Sequence, residues 1–241
     1  MEFYTKKLVN LKWIFLVSIF LNVTSCDSTK SIDLSRMVQR LNSTCTLVNC
    51  QGTELEFEKD LLGQDRLIAS IFNPEYPIKT DKEKYSNAAA YILYSELKNT
   101  ETNQVDIQNI VIELIEDKSV SPFEYDIDIL NRYAPFVDTS TEVLELIGNR
   151  KWTEFGLVFN TQSDSIRTEI FQELVSVFEK SYQECGSYTE YDFYQLSMDE
   201  ETVFVQIALL RNQTQEYLNF TLNKLTQEVM GLEVLLFCDN D

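Results

Sequence analysis

Five cysteines hold the reactive sulfur of this 241-residue chain: Cys26, Cys45, Cys50, Cys185 and Cys238. Histidine is absent. Without an imidazole there is no Ser-His-Asp or Cys-His relay. The usual His-containing zinc sites are excluded as well, and the spacing of the cysteines does not read as a zinc cage. Acid–base chemistry would fall to carboxylates, Lys or Tyr. Carboxylates are abundant, with 39 Asp and Glu against 20 Lys and Arg. Asp126 and Asp128 share one face of an alternating run, as do Glu54, Glu56 and Glu58. Such oxygens suit Ca²⁺, but no stretch has the spacing of a calcium loop with its Gly. A solvated strand face is the plainer reading. No metal, cofactor or catalytic residue is expected.

Cys26 stands apart from the other four. It follows Val23-Thr24-Ser25 and an apolar block from Trp13 to Leu21, interrupted only by Ser18, with Lys6, Lys7 and Lys12 ahead. A positive start, a short apolar core and small residues before the cut describe a secretory signal. The block is shorter than the ~20 apolar residues a spanning helix needs. A cysteine directly after the small residues resembles the lipobox of bacterial lipoproteins, and residue usage resembles lipoproteins of the Bacteroidetes. That resemblance implies a signal peptide over residues 1–25 and acylation of Cys26, with palmitate-type chains as a membrane anchor. The alternative is ordinary secretion, cut after Ser25. An odd cysteine in an exported chain calls for an explanation. Lipidation of Cys26 leaves four that can pair.

Those four stay open from sequence. Cys45 and Cys50 either close a small loop in an oxidising compartment or remain thiols. Cys185 and Cys238 fall at the end of a long helix and the end of the last strand. They either bridge, tying down the C-terminus, or stay as buried thiols.

Charge narrows the partners. The net formal charge is −19, and the leader contains three lysines against Glu2 alone, so the remainder is more acidic still. Nucleic acid is excluded as a ligand because its binding needs Lys and Arg on phosphates. Direct docking on anionic headgroups fails for the same reason. An apolar fraction of 44% belongs to a folded chain, and only 6 Gly and 4 Pro imply long regular elements.

Periodicity then places the elements. Residues 26–42 read as a tether and a short helix through Met37 and Leu41. Leu55 and Phe57 alternate with glutamates as a strand. Tyr85 to Leu97 reads as a helix, followed by strands over Val105–Ile115 and Phe123–Ile129. Asp138 begins a helix that Gly148 can end. Lys151–Phe159 has mixed period, helix or strand. A long helix runs from Ser163 or Asp164 to Tyr182 and stops at Cys185-Gly186. Strands follow at Tyr191–Met198, with a phase slip, then Thr202–Leu210, Leu218–Leu222 and Val229–Phe237. The expected class is α+β in two small units, 43–135 and 136–241. The second is expected to be a curved antiparallel sheet wrapped on a long helix.

The stretches VLELIGNRKWTEFGLVFN, IFQELVSVFEKSYQECGSY and the meander TVFVQIALL, YLNFTL, VMGLEV resemble the nuclear-transport-factor-2-like superfamily over about 138–237. The resemblance implies a cone with a hydrophobic pocket between helix and sheet. Enzymes of that group place His or paired Asp there. This chain has neither motif, so no catalytic residue carries over.

The expectation is therefore an exported protein held by Cys26 at the periplasmic face or cell surface, with the outer membrane favoured. It would act as a non-catalytic module binding a protein partner or a small apolar ligand. The rival expectations are a carboxylate-dependent hydrolase and a structural subunit of an envelope complex.

Overall fold

The computed structural model describes residues 34–59, 65–76, 80–99, 107–158, 165–188, 190–211 and 214–235. Cys26 and Cys238 lie outside them. Residues Ile32–Asp241 form one compact unit. Within it the elements run α1 (Leu34–Leu47), β1 (Gly52–Glu58), β2 (Asp65–Phe72), α2 (Lys82–Asn99), β3 (Ile107–Glu116), β4 (Ser119–Asp126), α3 (Ile127–Asn131), α4 (Ala134–Gly148), α5 (Trp152–Val158), α6 (Ser165–Cys185), β5 (Glu190–Met198), β6 (Thr202–Arg211), β7 (Thr214–Asn223) and β8 (Val229–Leu235). The fold is α+β, with two four-stranded sheets ordered β1-β2-β3-β4 and β5-β6-β7-β8.

The first sheet is mixed. β1 and β2 pair antiparallel, β2 and β3 pair parallel, and β3 and β4 close an antiparallel hairpin. Parallel neighbours need a long crossover, and α2 provides it. Leu67, Ala69 and Ile71 of β2 lie beside Ile110, Ile112 and Leu114 of β3, all six fully or almost fully buried. The glutamates of β1 point to solvent while Leu55 and Phe57 pack on the core.

Helix α2 is central. Asp81 caps it: its Oδ1 accepts from the backbone N–H of Glu83 at 3.1 Å and of Lys84 at 3.4 Å. Every residue from Tyr85 to Tyr94 is buried. A helix covered all round has no polar stripe, and this one lies against β5 as well as β3 and β4. Ala88, Ala89 and Ala90 give these neighbours room for close approach. Two of its polar members find donor contacts: Ser86 donates to the Lys82 carbonyl, and Asn87 Nδ2 donates to Tyr133 Oη at 2.6 Å.

The strand expected through Ile129 stops at Asp126. There the backbone is still extended (φ −68°, ψ 137°), and the Asp126 carboxylate accepts from Asp128 N–H at 2.6 Å. That cap turns the chain into α3, so Asp126 and Asp128 do not share a strand face. The mixed-period stretch after Lys151 is the helix α5. Helix α6 packs through Phe178 and Phe171 on Trp152 and Phe155 of α5, and Tyr182 Oη donates to the Ile147 carbonyl of α4. It ends at Gly186, whose φ of 77° is the left-handed value a helix stop requires; its N–H reaches the Tyr182 carbonyl.

The second sheet is an antiparallel meander. The phase slip in β5 is a bulge between Phe193 and Gln195. Residues of both halves belong to one hydrophobic core, from Met37 and Tyr85 to Val205 and Phe220. The segments divided at 135/136 therefore share a single interior, and the division falls in the first turn of α4.

Candidate functional site

β6 reads as an apolar strand, yet Gln206 stands in its middle and is buried. A buried amide must find partners. The register supplies them: Gln206 lies beside Gln195 of β5 and Asn219 of β7, and Asn219 lies beside Glu233 of β8. The side chains join in one line. Gln195 Nε2 donates to Gln206 Oε1 at 2.7 Å, Gln206 Nε2 to Asn219 Oδ1 at 2.6 Å, and Asn219 Nδ2 to Glu233 Oε2 at 2.9 Å. An amide ladder thus crosses the whole sheet and ends on a carboxylate. Glu233 sets its direction. An ionised carboxylate only accepts, so Asn219 must donate to it, and each amide further along must donate in turn.

The ladder lines an open groove of about 600 Å³. Thr80, Asp81 and Lys84, at the start of α2, form one wall; Gln195, Phe204, Gln206, Asn219 and Leu235 come from the sheet. The Lys84 ammonium lies 5.3 Å from the Phe204 ring centre. Thr80 Oγ1 and Tyr194 Oη share a hydrogen bond of 2.8 Å, which anchors the wall to the sheet. Behind it, Tyr76, Tyr85, Tyr194 and Tyr217 touch in series at 5.6, 5.8 and 5.0 Å. Burial pushes all four phenols above their ordinary range, so they stay protonated.

Two other polar groupings lie in the interior, away from the groove. Glu96 and Asp192 are almost fully buried, and arginines from α1 hold them: Arg36 Nε is 2.7 Å and Arg40 Nε 3.5 Å from Glu96, while Arg40 Nη2 donates to Asp192 Oδ1 at 3.0 Å. Burial raises the Asp192 carboxyl to about 6 against the pull of Arg40. A raised acid can mark a catalytic centre. Here it sits in an ion-pair knot joining α1, α2 and β5. The second grouping is Arg211 with Glu216, 3.6 Å apart and both essentially buried. Arg211 also donates to the Ser181 carbonyl and hydroxyl and lies over the Tyr182 ring.

Among the cysteines, Cys45 and Cys50 form a disulfide, Cα–Cα 5.1 Å. Cys185 is also disulfide-bonded, to a partner outside the described residues. The loop closed by Cys45 and Cys50 is a junction: Tyr85 Oη donates to the Thr44 carbonyl beside it, and Gln215 Nε2 donates to the Leu47 carbonyl within it. Glu54, Glu56 and Glu58 are exposed. Among the described residues no group of three or more metal-ligating side chains converges, and no helix is long and apolar enough to cross a membrane. Hydrophobic periodicity does not reveal the ladder. Its one sequence signal is a Gln inside Val203–Leu210, followed in the next strands by Asn219 and Glu233.

No protein-family model, curated protein or solved structure matches this chain.

Proposed function

We propose that the chain is a lipid-anchored cell-envelope protein that acts as a non-catalytic binding module, with the groove between α2 and the second sheet as its ligand site. The amide-lined groove is the observation that carries this reading. Amides bind through directed hydrogen bonds and do not transfer protons near neutral pH. Among the described residues that line the groove the carboxylate is Asp81, whose Oδ1 caps α2, and Glu233 at the far end of the ladder accepts from Asn219. A hydrolase using two acids would need them free in one cavity, and the buried pair Glu96 and Asp192 is bound by Arg36 and Arg40 instead. The polar ladder favours a polar ligand over the small apolar one expected from sequence.

The location rests on Cys26 and the segment before it. Intact mass and detergent partitioning of the native protein beside Cys26→Ala test it. Two or three acyl chains, lost in the variant, are the expected result. An unmodified protein cut before Cys26 would remove the anchor and leave a freely secreted module.

A further inference from the structure

We infer that the groove takes a neutral oligosaccharide, laid across the strands along the amide ladder. This rests on the reading of the groove as a ligand site and specifies the ligand. Gln206 and Asn219 each spend one N–H and one lone pair on their neighbours, and Gln195 spends one N–H. Each amide thus keeps an N–H and a lone pair beyond those bonds. The groove therefore presents a donor and an acceptor together, repeated at the strand spacing of ~4.8 Å. A matching ligand must both donate and accept at each step, as hydroxyl groups do. It must also repeat at about the length of one pyranose ring.

Other ligand classes fit less well. Phosphate and carboxylate only accept, and they enter the field of a chain of net charge −19. An apolar ligand would strip water from the amides and replace none of their bonds. An extended peptide repeats its backbone every ~3.4 Å, out of step with the ladder. The remaining lining completes the match. Phe204 offers a flat apolar face for the C–H side of a sugar ring, and Leu235 adds to it. Lys84 lies over that ring in the free protein; its flexible stem lets it swing aside for the sugar and offer N–H donors to the hydroxyls.

The test uses the Cys26→Ala protein, which keeps the whole chain without the anchor. The probes are cellohexaose, maltohexaose, xylohexaose and mannohexaose, with an uncharged Gly/Ser hexapeptide and a galacturonate hexamer as controls. Titration calorimetry and the side-chain amide NMR signals of Gln195, Gln206 and Asn219 are the readouts. At least one neutral hexasaccharide should bind and move those signals. Phe204→Ala and Gln206→Leu should each weaken it roughly tenfold or more. Phe204 is only half-buried, so its variant keeps the test valid if Gln206→Leu unfolds. Saccharide binding unchanged in Phe204→Ala would overturn the placement. Ladder signals moved by the peptide or the galacturonate alone would overturn the sugar class while keeping the groove as a ligand site. Ladder signals untouched by every probe would sink both readings.

Discussion

The two sheets have the same strand number and share one core, but they treat polar side chains differently. In β1-β2-β3-β4 no charged residue among those described is on the covered face, which is Leu67, Ala69, Ile71, Ile110, Ile112 and Leu114. Ser70 and Glu113 hydrogen-bond on the opposite, partly covered side. In β5-β6-β7-β8 the polar residues are inside: Asp192, Gln195, Gln206, Arg211 and Glu216 are all buried. Among the described residues the first sheet buries no polar or charged side chain. Burying such groups costs free energy unless each is paired. A sheet that carries five of them gives up stability that leucines would have supplied. Local rules yield in this way where a protein keeps a site. The first sheet keeps its polar side chains out of the core, and the second carries the amide ladder on which the proposed ligand site rests.

The sharpest way to break that contrast is to remove one partner of a buried pair. Glu216→Ala leaves the Arg211 guanidinium charged and enclosed, and should cost about 3–5 kcal/mol. Ile112→Ala in the first sheet should cost a similar ~2–5 kcal/mol, by cavity formation. Second substitutions separate the mechanisms. Arg211→Met with Glu216→Leu should recover most of the loss, because no buried charge remains. Adding Leu67→Ala to Ile112→Ala should deepen it. Urea titration reads both series. A double variant of the ion pair no more stable than Glu216→Ala would mean that the Ser181 and Tyr182 contacts dominate, and the contrast between the sheets would shrink accordingly.

Next in size is a pH effect confined to the second sheet. The Asp192 carboxyl is raised from 3.8 to about 6. The folded state then holds its proton more tightly than the unfolded chain does. The stabilisation is complete below pH 3.8 and lost as pH rises through 6. Over that window Asp192 should withdraw about 3 kcal/mol. Asp192→Asn should flatten this component of the pH–stability curve. A wild-type curve that rises as steeply as the variant's across that interval would mean that Arg40 holds the carboxylate ionised.

Much of this is legible in the sequence where one cause acts alone. The end of α6 is one example, since a Gly after the last periodic residue leaves few alternatives. The bulge in β5 is another, because a phase slip in an alternating run has few other meanings. What stays hidden depends on distant partners or on competing local chemistry. The run Phe123, Tyr125, Ile127, Ile129 alternates throughout, but the Asp126 side chain captures Asp128 N–H and ends the strand. β2 carries no periodic signal that marks it out; its identity as a strand depends on β1 and β3 lying on either side. The burial of α2 all round is only half visible, because a second sheet covers what reads as its outer face. The ladder is hidden for the same reason: Gln195, Gln206, Asn219 and Glu233 lie on four different strands and meet only through register.

A third change tests whether the sheets are joined mechanically. The Cys45–Cys50 loop contacts β7 through Leu47, and Thr44 beside it contacts α2. Cys45→Ser with Cys50→Ser should cost about 2 kcal/mol from loop entropy. Amide exchange should rise at β7 as well as β1. Exchange rising at β1 alone would confine the loop to the first sheet.

The smallest effect is the most specific to the ladder. Glu233→Gln keeps size and removes charge at an exposed position, so stability should move by no more than ~1 kcal/mol. Its consequence lies in direction. With a carboxylate at the end, every amide is forced to donate toward β8. With Gln there, the terminal group can donate or accept, and the whole line can run either way at nearly equal energy. The side-chain amide signals of Asn219, Gln206 and Gln195 should then shift together, broaden or double. A change limited to Asn219 would show that the order is held from the β5 end, where Gln195 meets the bulge. A joint change would show that one surface carboxylate orients buried hydrogen bonds three strands away, a coupling for which the first sheet has no equivalent among its described residues.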